Sequence, residues 1–372
     1  MKTKIIEYVG RMQDGGAETI LKDYALMLDK DKFDVTVVCE DYKKGSANYR
    51  ILNENGIKCV YTYGKFDYTC RALARIIGPQ FKARLLKKVI DEIKPDIIHI
   101  QLESLDVIRC LSNYLKNVKL IFTCQNVPEM CIGDKRPKER DACKYLLENN
   151  NLQILALQQD MADEINNMFS INNTLVFRNG IDFNRFKKVK ETKQEIRKAL
   201  GINEDCYLVG HIGRFAYQKN HEFLIKVFNE AVKLKDDIHL LLIGDGKLKE
   251  DVEKQISEYG IEDKVTILSH RTDIPNLLKA MDVYLFPSRF EGLSVSLVEA
   301  QVANLPCVIS DRIAHETYCT KNITELSYDT DIKIWAQSCI NPKGNIKDWN
   351  NIDDYDLNRI IIKLQDLYLS KN

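Results

Sequence analysis

The chain has no surplus of charge of either sign, since 54 Lys and Arg balance 54 Asp and Glu in 372 residues. A nucleic-acid binder needs excess cations to hold a phosphate backbone, so nucleic acid is not an expected partner. It also lacks any run of roughly 18 consecutive apolar residues, the length a membrane-spanning helix needs. Lys2 and Lys4 imitate the start of a secretory signal, but Glu7 and Arg11 interrupt the apolar core that should follow. The expected location is the cytoplasm. Eleven cysteines form no C-x-x-C pair. Many lie in apolar runs (Cys39, Cys110, Cys307), where they read as reduced, buried small hydrophobes and not as a disulfide framework or zinc site. With no His/Cys cluster, no metal is expected.

What is present is an average globular composition, 45% hydrophobic and 29% charged, at a length that suits two domains. Short apolar runs, often β-branched, recur along the chain: Ile5–Val9, Val35–Cys39, Ile97–Ile100, Leu120–Thr123, Leu152–Ala156 and Leu175–Phe177. The series resumes at Leu208–Ile212, Leu240–Gly244, Val265–Leu268, Val283–Pro287 and Pro306–Ser310. Such runs belong to parallel sheets covered on both faces. Helical patterns lie between them, as in Leu224, Val227, Phe228 and Ala231. The expected fold is therefore α/β, with two Rossmann-like doubly wound parallel-sheet domains. The turn signal Asn179-Gly180-Ile181-Asp182 and the charged stretch after it divide the series. The expected domains are 1–180 and 187–350, with a last helix in 351–372 packing back on the first.

Three segments carry candidate chemistry. Gly15 and Gly16 follow the first strand and open a helical pattern, where free backbone N–H groups can meet an anion; a tight strand-to-helix turn would use the same residues. The spacing is not the G-x-G-x-x-G of a dinucleotide site. Arg214 and Lys219 follow the first strand of the second half, where open α/β sheets bind ligands, and fixed cations there can neutralise a diphosphate; solvated surface cations are the alternative. Finally, Phe290-Glu291-Gly292-Leu293-Ser294 leads into a helical pattern holding Glu299. Gly292 to Ser294 are expected to form the first helical turn, with Glu299 two turns inside. Eight residues span about 12 Å along a helix, so Glu291 and Glu299 cannot share one proton. They suit the two ends of an extended ligand.

The order Gly15-Gly16-Ala17-Glu18, Asn179-Gly180-Ile181-Asp182, Gly213-Arg214-x4-Lys219, Gly244-Asp245-Gly246 and Glu291-x7-Glu299 resembles the retaining glycosyltransferases of family 4, which have the GT-B fold. Pro306-Cys307-Val308-Ile309-Ser310-Asp311 is similar to bacterial capsule and exopolysaccharide members. The resemblance implies a hexosyl transfer from a nucleotide-diphosphate donor, a UDP-sugar, to a glycan or polyprenyl-linked acceptor, without cofactor or metal. It implies that Arg214 and Lys219 stabilise the leaving diphosphate and Glu291 contacts the donor sugar. Glu299 would hold the ribose, with the backbone of Gly292, Leu293 and Ser294 near the phosphates. Gly244 belongs to the same donor side. Backbone around His270 and Arg271 would read the base, and Gly15 and Gly16 would approach the diphosphate from the other domain. On the acceptor side stand Gln125 and Asn126. Members often carry histidine where this chain has Gln125, and Gln cannot take a proton near neutral pH. His99, inside a strand run, reads as a satisfied core residue.

That substitution supports a second reading, a non-catalytic partner protein of the same fold; a third, a nucleotide-sugar 2-epimerase, would need proton-transfer groups at the sugar, and the scarcity of cleft histidines argues against it. Residues 65–88 mix Lys65, Arg71, Arg75, Lys82, Arg84, Lys87 and Lys88 with apolar side chains, broken at Gly78-Pro79. They suit either a solvated basic face or peripheral contact with the inner, anionic membrane face.

Overall fold

Alternate side chains of a strand point to opposite faces, so a continuous apolar run needs cover on both sides. The second half shows this directly. Leu240, Leu242, Val283, Leu285 and Val308 feed one core, while Leu241, Ile243, Tyr284, Phe286 and Ile309 feed another across the sheet. Burying each such side chain contributes about 1.5–3 kcal/mol.

The computed structural model describes residues 2–13, 15–42, 46–62, 78–102 and 104–370. The chain divides into two units, Met1–Gly180 with Asn358–Asn372, and Ile181–Leu357. Among the described residues, the first unit holds parallel strands β1 (Thr3–Met12), β2 (Phe33–Tyr42), β3 (Lys58–Tyr61), β4 (Ile97–Gln101), β5 (Lys119–Cys124), β6 (Gln153–Ala156) and β7 (Leu175–Val176), in the order β3-β2-β1-β4-β5-β6-β7. The second holds β8 (Tyr207–Ile212), β9 (Ile238–Ile243), β10 (Val265–Leu268), β11 (Val283–Phe286), β12 (Cys307–Ser310) and β13 (Ile323–Leu326), in the order β10-β9-β8-β11-β12-β13. The order reverses beside β1 and beside β8, which makes the β1/β4 and β8/β11 borders the switch points where such sheets take ligands. The register across β1 and β4 pairs Glu7 with His99 and Val9 with Gln101.

The last helix, Leu357–Leu369, returns to the first unit. Lys119 donates to the carbonyls of Leu367 and Ser370, both at 2.7 Å, so a cation meets the helix's negative end. Gln365 accepts from the Asp29 N–H at 3.1 Å. Residues 351–357, expected to travel with this helix, lie in the second unit. There the Ile181 N–H donates to Tyr355 at 2.7 Å and the Leu357 N–H donates back to Ile181 at 3.0 Å.

Cys39 and Cys307 are buried, but Cys110 is exposed, contrary to its reading as a core residue. It caps the short helix Leu105–Arg109, and its thiol is 3.3 Å from the Asp106 carbonyl. Of the basic stretch 65–88, residues 65–77 lie outside the described residues. From Pro79 the chain forms a helix to Ile93 that buries Ala83, Leu86, Ile90 and Ile93. Lys82 pairs with Glu40 at 2.7 Å and Lys87 with Asp91 at 2.8 Å. No helix among the described residues is long and apolar enough to cross a membrane.

Candidate functional site

At the carboxyl ends of β8 and β9 two loops are zipped together. The Gly213 N–H donates to Ile243 at 2.9 Å, Phe215 N–H to Asp245 at 2.9 Å, and Leu248 N–H to Phe215 at 3.1 Å. Gly244 has φ +156°, and a Cβ there would fall on the Gly213 carbonyl oxygen. Only glycine permits that approach. The zipped loops present Arg214 to solvent.

Lys219 ends a short 3₁₀ turn, Tyr217–Lys219, and folds back towards β11. Its ammonium stands 2.8 Å from Glu291 Oε1, with side-chain exposures of 15% and 7% for the two partners. It also lies 4.7 Å from the centre of the Phe286 ring. Glu291 is fixed by its backbone, which forms an isolated bridge with Ile313. The two loop ends thus bring together a cation and a carboxylate that are 72 residues apart in the chain (291 − 219).

The helix after Glu291 begins at Val295 and runs to Val302, with Ser294 at its N-cap. Gly292, Leu293 and Ser294 therefore lead into the helix and do not form its first turn: Gly292 and Leu293 bend between the bridge at Glu291 and the N-cap at Ser294. Glu299 accordingly sits one turn inside the helix, not two. Its Oε1 is 4.0 Å from Arg185 Nη1, and Arg185 Nη2 donates to the Thr272 carbonyl at 3.0 Å. Neither Arg185 nor its approach to Glu299 was visible in the sequence. On the β10 side, His270 adopts φ 55° with its ring 3.7 Å from Asp245. The Arg271 side chain is engaged by Asp273, at 2.7 Å from Nε.

Beneath Lys219 lie two buried histidines that sequence reasoning passed over. His211 donates from Nδ1 to the Leu285 carbonyl at 2.8 Å and stacks on Tyr284 and Phe286. Burial, the neighbouring His221 and Lys219 hold it well below its ordinary pKa. His221 stacks on Phe215 at 4.2 Å, and burial with the Lys219 charge lowers its pKa to about 4. Both rings are neutral at physiological pH and pack as aromatics.

In the first unit, Gly15 caps and Gly16 opens the helix Gly16–Met27, and both are exposed; a Cβ at Gly16 would meet nothing within 4 Å. Gln125 and Asn126 follow β5, the former half-buried and the latter exposed. Gln125 is held between Gln101 and Asn179, at 2.8 and 3.0 Å. His99 is buried and bonded at both ring nitrogens, to Tyr368 and to Thr123.

Two family models match in sequence order. Residues 14–185 match "Glycosyltransferase Family 4" and residues 192–332 match "Glycosyl transferases group 1". The fold is that of Anabaena Alr3699/HepE, solved in complex with UDP and glucose, at TM-score 0.77 and 20% identity over 99% of this chain and 100% of that one. Two Rossmann-like parallel sheets with these switch points define a GT-B protein. The chain belongs to the GT4-type glycosyltransferases. The putative glycosyltransferase EpsF of Bacillus subtilis is 35% identical over 161 residues, 43% of this chain and 42% of EpsF, so this match spans less than half of that relative. The capsular polysaccharide biosynthesis glycosyltransferase CapH of Staphylococcus aureus is 24% identical over 99% of both chains.

Proposed function

We propose that the protein transfers a hexosyl group from a UDP-sugar to a glycan or lipid-linked glycan acceptor in surface-polysaccharide synthesis, with retention at the anomeric carbon and without a metal or cofactor. The observation that carries this reading is the Lys219–Glu291 pair, 2.8 Å apart at a switch point. Lys219 and the exposed Arg214 stand where a leaving diphosphate gathers negative charge, and fixed cations there stabilise it most as the bond breaks. Glu291 orients Lys219 and accepts from donor-sugar hydroxyls. Glu299 accepts from the ribose hydroxyls, and the backbone about His270 and Arg271 meets the base. Gly244 gives Arg214 its close-packed support, while Gly292, Leu293 and Ser294 offer backbone N–H groups ahead of the helix. Gly15 and Gly16 contribute free helix-start N–H groups, and Gln125 and Asn126 meet sugar hydroxyls on the acceptor side.

In the reaction the anomeric carbon–oxygen bond breaks and its electron pair stays on the β-phosphate oxygen. The acceptor hydroxyl attacks from the same face and gives its proton to that oxygen, which yields the glycoside and UDP. The relatives CapH and EpsF and the UDP-bound Anabaena structure support this reading. Its test is UDP release from UDP-glucose, UDP-galactose and UDP-N-acetylglucosamine, with the product anomer read by NMR. No UDP release from any of the three, with or without oligosaccharide acceptor, would reject it.

Peripheral membrane contact through residues 65–88 belongs to the same proposal. Phe81, Arg84 and Lys88 are exposed at the start of the helix Pro79–Ile93, at spacings that share one face. Changing Arg71, Arg75, Arg84 and Lys88 to Ser should abolish sedimentation with anionic liposomes at low salt. Equal sedimentation of both proteins would remove this attachment.

A further inference from the structure

The first unit contains a buried polar chain that starts at Glu7 and ends at Gln125. Glu7, on β1, is fully buried. The Tyr368 hydroxyl of the last helix donates to its Oε1. His99 Nδ1 is 2.7 Å from that hydroxyl, and His99 Nε2 is 2.7 Å from Thr123 Oγ1. Gln101, 1% exposed, turns its Nε2 towards Glu7 Oε2 at 3.5 Å and His99 Nε2 at 3.3 Å. Its Oε1 accepts from Gln125 Nε2 at 2.8 Å, and Gln125 Oε1 accepts from Asn179 Nδ2 at 3.0 Å.

A carboxamide has two senses of almost identical shape, and only its hydrogen-bond partners decide between them. Turning Gln101 over would set its carbonyl oxygen against the Glu7 carboxylate, acceptor on acceptor, where no apolar neighbour or bulk water relieves it. Glu7 therefore fixes Gln101. With the Gln101 oxygen facing outward, Gln125 must present its N–H side to it. Asn179 imposes no sense of its own through this bond, because its carboxamide can turn with Gln125. His99 completes the set by donating from Nδ1 to Tyr368 and accepting at Nε2.

We infer that Glu7 is a positioning residue: acting through Gln101, it fixes the sense of the Gln125 carboxamide. Gln125 then offers its second N–H and its free carbonyl lone pair at set places, which selects sugar hydroxyls by whether they accept or donate there. The inference rests on the reading of Gln125 as an acceptor-side residue.

The test reads the Gln125 side-chain amide by NMR in the ¹⁵N-labelled, ligand-free full chain, with the signal assigned by its loss in Gln125→Glu. The unaltered protein should show one pair of amide resonances. In Glu7→Gln and in Gln101→Met the pair should split or move, since nothing then decides the sense. In the double variant Glu7→Gln/Gln101→Glu a single pair should return, because a carboxylate at position 101 again accepts from Gln125. Transfer kcat/KM should fall by about twofold or more in Glu7→Gln, as when half the molecules hold the wrong sense, and recover in the double variant. An unchanged pair in both single variants, or no return in the double variant, overturns the relay. If Glu7→Gln does not fold, Gln101→Met and the double variant carry the same decision. The amide signals need no substrate, so a protein that transfers no sugar still reports on the relay. An active protein with unmoved signals rejects the relay and leaves the transfer reading standing.

Discussion

Lys219 and Glu291 stabilise one another only as a pair. Removing one partner of a buried ion pair leaves the other desolvated and unmatched, at a cost of about 3 kcal/mol. Lys219→Ala should therefore lower stability by about that amount in urea titration, and adding Glu291→Gln should recover part of the loss. Strict additivity of the two changes would mean that the pair is not coupled. Arg214→Ala should behave differently. The side chain is exposed, so stability should stay within about 0.5 kcal/mol, while turnover falls about 10²–10³-fold. Normal turnover in Arg214→Ala would detach it from the leaving group. Both cations and Glu291 were legible in the sequence as separate features after strands. Their pairing was not, because it depends on β8 lying beside β11, a contact between distant parts of the chain.

At the scale of the element, the junction of β8 with the helix His221–Val232 carries a pH dependence. The folded pKa of His221 is about 4, below an unfolded value near 6.5. Between those values the unfolded chain binds more protons, so stability is full above about pH 6.5 and is lost as pH falls towards 4. The linked loss reaches about 3 kcal/mol. His221→Phe should flatten that slope in denaturant titrations run from pH 7 to 4, and an unchanged slope would show that other groups produce it. The zipped loops make a second prediction. A methyl group at Gly244 meets the Gly213 carbonyl, so Gly244→Ala should destabilise by more than about 1 kcal/mol and weaken UDP binding in calorimetry. The buried strands could be read from the sequence because both faces are apolar. Of the four edge strands, β7 and β10 could be read as short apolar runs, but β3 and β13 could not, since residues such as Lys58 and Glu325 interrupt the pattern. The start of the helix at Val295 was misplaced for a related reason: the bridge from Glu291 to Ile313 is a tertiary contact that overrides local helical pattern.

At the scale of the whole molecule, the first unit is built from both ends of the sequence. Deleting residues 358–372 should speed amide hydrogen exchange throughout 1–180 and leave protection in 181–357 largely intact. Equal loss in both units would mean that they unfold as one cooperative block and not as independent bodies. The interleaving also sets a schedule for biosynthesis. A chain emerging from the ribosome finishes the whole second unit before Tyr368 exists, so Glu7 and Lys119 wait, without the partners that the last helix brings them. The first half to be translated is the last to be completed. A chain cut short between Leu357 and Tyr368 would therefore carry the whole second unit and a first unit without its last helix, and the exposed remainder is the kind of surface that chaperones and proteases recognise.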